Sequence, residues 1–327
     1  MKKIYLLLTL SFIFLASCTD TPTSSTTNPT PSPATPLPFC SSWKQQRSPI
    51  ERDLTAVDFI DEKTGWCVSD INEVGGAVLK TTDGGINWQT TNAQEFLSDI
   101  DFINKDLGWA VGFNGTIKGS TDGGTNWDNL RIGEEIEALN SLYFIDSMKG
   151  WVVGASGQIL KTTDGGKEWQ KVDAKVIDDL WRVRFLNEKD GWIVGEEGII
   201  LNTSDGGETW QRLQTGSDAA LFDVWPIDTN NVWVAGLGGV LFNTLDKGIT
   251  WQKQTTSFNN LFRSIQFLDS SRGFIVGTGG LLLCTIDGGK TWEQVVLPRK
   301  YDLTGLKVIS SEGAWAVGRR GFIVSKR

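Results

Sequence analysis

One unit of about 41 residues recurs seven times along this chain, and that recurrence narrows the possible folds more than any other feature. Each unit opens on an apolar residue: Leu54, Leu97, Leu139, Leu180, Leu221, Phe262 and Leu303, at spacings of 43, 42, 41, 41, 41 and 41. A central aromatic keeps the same register: Trp66, Trp109, Trp151, Trp192, Trp233, Phe274 and Trp315. Within a unit the apolar runs are short, rich in Val, Ile, Trp and Phe, and broken by Gly, Asp and Asn. These are strand and turn signals, with no helical period of useful length. Four strands per unit are expected: the opening run, the Gly-Trp run, the Gly-x-Ile-Leu run and a short strand after the closing Trp. Four short strands in ~40–45 residues make one propeller blade. The expected fold is therefore all-β, a seven-bladed propeller with four antiparallel strands per blade.

The seventh copy stops at Arg327 without a closing turn or outer strand. The missing piece lies at the other end of the repeats. Cys40-Ser-Ser-Trp43-Lys-Gln-Gln reads like Trp169-Gln170-Lys171 and Trp251-Gln252-Lys253. Residues 40–47 are thus expected to supply the outer strand of blade seven and close the ring. A solenoid would instead need polar caps at both ends.

The segment before the repeats is not expected to join the fold. Met1 to Ser17 has Lys2 and Lys3, then an apolar stretch too short to cross a bilayer. Leu15-Ala16-Ser17-Cys18 resembles a bacterial lipobox, which implies cleavage before Cys18 and acylation of that residue. Residues 18–38 are rich in Thr, Ser and Pro and read as a tether to a propeller over residues 39–327. The reading gives an exported protein, lipid-anchored on the periplasmic, thylakoid-lumenal or cell-surface side of a membrane, and expected to be a monomer. Cys40, Cys67 and Cys284 remain. One disulfide among them or three buried thiols are both open, and the strand patterns around Cys67 and Cys284 favour buried thiols.

Composition excludes whole classes of function. The chain has no histidine, so chemistry that needs an imidazole is out. Its formal net charge is −8, which argues against a nucleic-acid partner. Cleavage before Cys18 would leave 29 basic and 39 acidic groups, so lipid and not charge would hold the protein at a membrane. The closing turns, Ser/Thr-x-Asp-x-Gly-x-x-Trp, place Asp83, Asp122, Asp164, Asp205, Asp246 and Asp287 at equivalent positions. They resemble the Asp-box of sialidase-like propellers. One carboxylate per turn falls far short of the 6–8 oxygens of a calcium site, so the role read for them is structural and no metal or cofactor is expected. The Gly-Gly pairs lack the lysine and helix of a phosphate loop.

Thirteen of the fifteen tryptophans belong to the repeat; Trp181 and Trp225, in the opening strands of copies four and five, do not. The residues three and five places after each opening residue, such as Val57 and Phe59 after Leu54, are apolar and form the core face of the strand. The other positions hold Asp58, Asp99, Asp101, Tyr143, Arg182, Arg184, Asp223, Trp225, Gln266 and Lys307, which should approach the central channel. These charges either pair across the channel or include a recognition patch of Trp181, Arg182, Arg184, Trp225 and Arg263, extended by Arg319 and Arg320.

The repeats over residues 43–327 resemble the photosystem II stability/assembly factor family, most closely at Gly191 to Gly195 and at Thr162 to Trp169. The resemblance implies a non-enzymatic, exported protein-binding scaffold. Photosynthetic members chaperone a membrane-complex intermediate through an arginine-rich patch, matched only thinly here by Arg182, Arg184 and Arg263. Two alternatives stand beside it. One is a cell-surface binder of carbohydrate or peptide, stacking ligand on Trp181 and Trp225. The other is a sialidase-like glycoside hydrolase, for which Tyr143 and Tyr301 have no evident Glu partner.

Overall fold

The computed structural model describes residues 38–70, 76–92, 95–130 and 137–327. The segment read as signal peptide, Cys18 and all but the end of the tether lie outside them. Among the described residues the strands form seven four-stranded antiparallel sheets. In six, the order follows the sequence; blade one, for example, runs Leu54–Phe59, Gly65–Ser69, Ala77–Thr81 and Gln89–Asn92. The seventh sheet takes Trp43–Gln46 as its outer strand, antiparallel to Ile323–Lys326, with Trp43 opposite Lys326 and Gln46 opposite Ile323. The ring closes as expected.

The Gly-Trp pair has a steric origin. A Cβ added at Gly65 would lie 2.4 Å from the ring of Phe59, the last residue of its own inner strand. Blades two, three, four and six repeat this pairing of glycine with Phe102, Phe144, Phe185 and Phe267. Where that position holds the smaller Pro226 or Val308, the glycine is replaced by Val232 or Ala314.

The blades pack through aromatic stacks. Trp66 stacks on Phe102 of the next blade at 3.7 Å, Trp109 on Phe144 at 3.5 Å, Trp151 on Phe185 at 3.6 Å and Trp315 on Phe59 at 3.7 Å. The same four indoles donate to a carbonyl in the next blade's Asp-box: Gly123, Gly165, Gly206 and Gly84. Phe274 stands in place of tryptophan in blade six, and blade seven has no Asp-box to accept such a bond. Phe39 and Trp43 pack on it instead, at 4.8 and 5.2 Å.

Cys40 and Cys284 form a disulfide, with Cα atoms 5.6 Å apart, and Cys67 is free and buried. This corrects the expectation that favoured three buried thiols. Closing the ring sets the turn Pro38–Cys40 against the third strand of blade six, Leu281–Thr285, and so joins residues 244 apart.

Every inner strand carries a register shift between its first and third residues. This β-bulge sets the parity of the whole strand. It lets the first, fourth and sixth residues all face the core, which strict alternation could not do. It also takes the second residue of each strand out of the ladder and sets it at one mouth of the channel.

Candidate functional site

The channel is built in three tiers, given by the second, third and fifth residues of the inner strands. The mouth where those strands begin, the front, carries the hairpins between the second and third strands of each blade; Ala155 of one such hairpin donates to Ala138, just ahead of Leu139. The rear carries the Asp-box turns, as in the bond from Gly84 to Lys63 in the loop between the first two strands.

The front tier holds the bulge residues. In blades one, three and seven these are Thr55, Asn140 and Thr304, and each donates to a main-chain carbonyl of the next blade: Leu97 at 2.7 Å, Leu180 at 2.9 Å and Leu54 at 2.6 Å. Blades four, five and six have Trp181, Phe222 and Arg263 instead. Their side chains pack on one another: the Trp181 and Phe222 rings lie 5.7 Å apart, and the Arg263 guanidinium sits 4.8 Å from the Phe222 centroid. Trp181 is held by its indole N–H donating to Glu196 at 2.9 Å. Three consecutive blades have thus exchanged a stitching residue for a partly buried aromatic or cationic one. Arg263 has no ion pair among the described residues. Its burial, and then the nearby Arg182 and Arg319, hold its pKa below the ordinary guanidinium value.

Arg319 and Arg320 stand on the blade-seven hairpin of the same mouth. Arg319 lies 3.6 Å from Asp53 and 3.3 Å from Asp302, while the Arg320 main-chain N–H donates to Asp53 and its guanidinium lies over Tyr301. Both remain exposed.

The middle tier is an ion network. Arg182 donates to Asp99 at 2.9 Å and sits 3.4 Å from Asp223. Asp99 also accepts from Ser141 and Leu142, and Asp223 from Ser264 and Ile265. Burial opposes the charge of Arg182, but Asp99 and Asp223 more than offset it and raise its pKa. The rear tier is stitched over part of its ring. Asp58 and Asp101 accept the main-chain N–H of Phe102 and Phe144, Gln266 bonds both Leu306 and Val308, and Lys307 pairs with Asp58 at 2.6 Å. Arg184 lies over Trp225, 5.2 Å from its centroid, in the same tier.

The structure therefore places Trp181 and Arg263 together at the front, Arg182 inside the ion network, and Arg184 with Trp225 three residues further along, about 10 Å away at the rise of a strand. Sequence reasoning missed Phe222, whose only signal was its place between Trp181 and Arg263 in adjacent repeats.

The six Asp-box aspartates work within their own turns. Asp83 accepts from Thr81 and from the main-chain N–H of Asn87, and the other five repeat the pattern. The N–H of Asn126, with its side-chain amide, lowers the Asp122 carboxyl to about 2.

A family described as Photosynthesis system II assembly factor YCF48 matches residues 90–176, 134–219, 167–258 and 250–326, together most of the chain. The chain belongs to this family. Among solved structures, a YCF48 bound to D1 peptide superposes with a TM-score of 0.75 at 20% identity, covering 88% of this chain and 97% of that one. YCF48 from Cyanidioschyzon merolae gives 0.74 at 21% identity, covering 88% and 99%. The virginiamycin B lyase of Staphylococcus aureus also gives 0.74, at 11% identity with 86% and 98% covered, so an enzyme shares this fold. No curated protein matches the chain at a significant level.

Proposed function

We propose that this YCF48 family member is a non-enzymatic scaffold that holds a segment of a client protein at its front mouth, on Trp181, Phe222 and Arg263, during assembly of a membrane complex. The observation that carries this reading is the run of three bulge positions that have given up inter-blade bonds for aromatic and cationic surface. Residues that do not serve the scaffold are the ones available to a partner, and Trp and Arg dominate interface hot spots. Arg263, without an ion pair among the described residues and flanked by Arg182 and Arg319, suits an acidic or carboxylate-bearing segment. The family assignment and the likeness to a YCF48 bound to D1 peptide favour a protein client. The lipobox-like Leu-Ala-Ser-Cys18 supports export and a lipid anchor, and the Cys40–Cys284 disulfide supports an oxidising compartment.

The test is capture of partners from native membranes with wild type and with Trp181→Ala and Arg263→Gln, each checked for intact fold. Loss of a hot-spot side chain costs at least about 2 kcal/mol, roughly thirtyfold in affinity. Unchanged recovery of the same partners by both folded variants would place the client elsewhere.

A further inference from the structure

We infer that the rear mouth is a second, separate binding site, for a carboxylate carried on a flat or apolar body, formed by Tyr143, Arg184 and Trp225. The logic is the same subtraction applied to another tier. Of the seven residues at this level, Asp58, Asp101, Gln266 and Lys307 are engaged in inter-blade bonds or an ion pair. The other three come from consecutive blades. No acceptor within the chain takes the Tyr143 hydroxyl, the Arg184 guanidinium or the Trp225 indole N–H among the described residues. The Arg184 Nε is itself buried without a partner. Pro226 gives a local reason for the change. In three other seams the fifth residue of one inner strand accepts the N–H of the sixth residue in the next blade. Proline has no N–H to offer, so position 184 needs no acceptor and holds a cation.

The chemistry of the arc follows from its groups. A phenol, a guanidinium and an indole supply donors, and the Tyr143 hydroxyl keeps its proton because burial raises its pKa to about 12. The nearest acids offer no substitute for a ligand: Asp58 is paired with Lys307, and Asp101 accepts from Phe144. A planar guanidinium over an indole presents donors beside an apolar face, which fits a carboxylate joined to a ring or chain. The Arg182–Asp99–Asp223 network stands between this arc and the front mouth, so the two sites are made of different residues. This inference stands on its own observations and does not need the front-mouth reading.

The experiment is a titration of the full chain with benzoate, followed through indole N–H resonances assigned by Trp→Phe replacement. The Trp225 resonance is expected to shift saturably with benzoate, while that of Trp181 stays in place and benzyl alcohol, the neutral control, has no such effect. Arg184→Gln should weaken benzoate at least tenfold with the other indole resonances unmoved. Competition by the acidic tripeptide acetyl-Phe-Glu-Phe-amide would extend the site to protein side chains; its failure would assign the site to small free carboxylates. The inference falls if benzoate gives no saturable shift at Trp225, if benzyl alcohol matches it, or if Trp181 responds instead. The wild-type titration decides these outcomes even if Arg184→Gln fails to fold.

Discussion

Arg182 of blade four donates to Asp99 of blade two at 2.9 Å, reaching past blade three across the channel. The same guanidinium touches Asp223 of blade five, a side chain with no exposed surface. Removing it leaves two buried carboxylates without their counter-charge. Arg182→Ala is therefore expected to cost about 3–5 kcal/mol of stability. Arg184→Ala, which breaks no ion pair, should cost less than about 1 kcal/mol. Urea denaturation of the two variants checks this, and equal losses would contradict the division of tiers.

Closure of the ring rests on a short strand and one disulfide. Deleting residues 39–48 removes both Trp43–Gln46 and Cys40, whereas deleting 19–36 removes neither. The first deletion should lower the melting temperature sharply and the second hardly at all. Cys40→Ser alone is expected to cost about 2–5 kcal/mol, since the bond closes a very long loop. Peptide mapping without reductant should recover Cys40 joined to Cys284 and Cys67 as a free thiol.

Asp101 gives the protein a pH dependence of definite sign. Burial, and then the neighbouring Asp58 and Asp99, outweigh Lys307 and push its carboxyl up to about 7. Between its ordinary value near 4 and about 7, the folded chain keeps a proton that the unfolded chain has lost. Stability contributed by this group is therefore full below about 4, falls as pH rises through that window and levels off above it. Asp101→Asn should flatten that part of the profile in denaturation series at several pH values; an unchanged slope would assign the dependence to another group.

Seam four to five is the place where the repeat breaks its own rules. Lys247 occupies the first glycine position of the Asp-box at φ 63°, and the Trp192 indole N–H facing that seam is buried without a partner. A left-handed conformation costs a non-glycine residue roughly 1–2 kcal/mol, partly offset by the greater freedom of glycine when unfolded. Lys247→Gly is expected to stabilise the protein by about 0.5–1 kcal/mol in thermal melts. A loss of stability would mean that the lysine side chain contributes something the backbone does not show.

The repeat was readable because each blade is specified locally. Gly and a following Trp, a threonine two residues before an aspartate, and short β-branched runs all act within a few residues. Blade count, strand order and the use of Trp43–Gln46 to close blade seven therefore followed from the sequence alone. What the sequence could not reveal depends on contacts between units about 41 residues or more apart. The bulge in each inner strand lies within one blade, but which side chains it brings together is settled between blades. A period-two reading put Trp181, Arg182, Arg184, Trp225 and Arg263 into one patch, but the bulge re-aims the second residue of each strand and sorts the five into three tiers. The fate of Arg182 was decided by Asp99 two blades away, and that of Cys40 by Cys284 across the closing seam. Local pattern determined the blades, because backbone hydrogen bonds and side-chain alternation are short-range. Only the closed ring determined which polar side chains were consumed by neighbouring blades and which were left for a ligand, because that depends on which blades face one another around the axis.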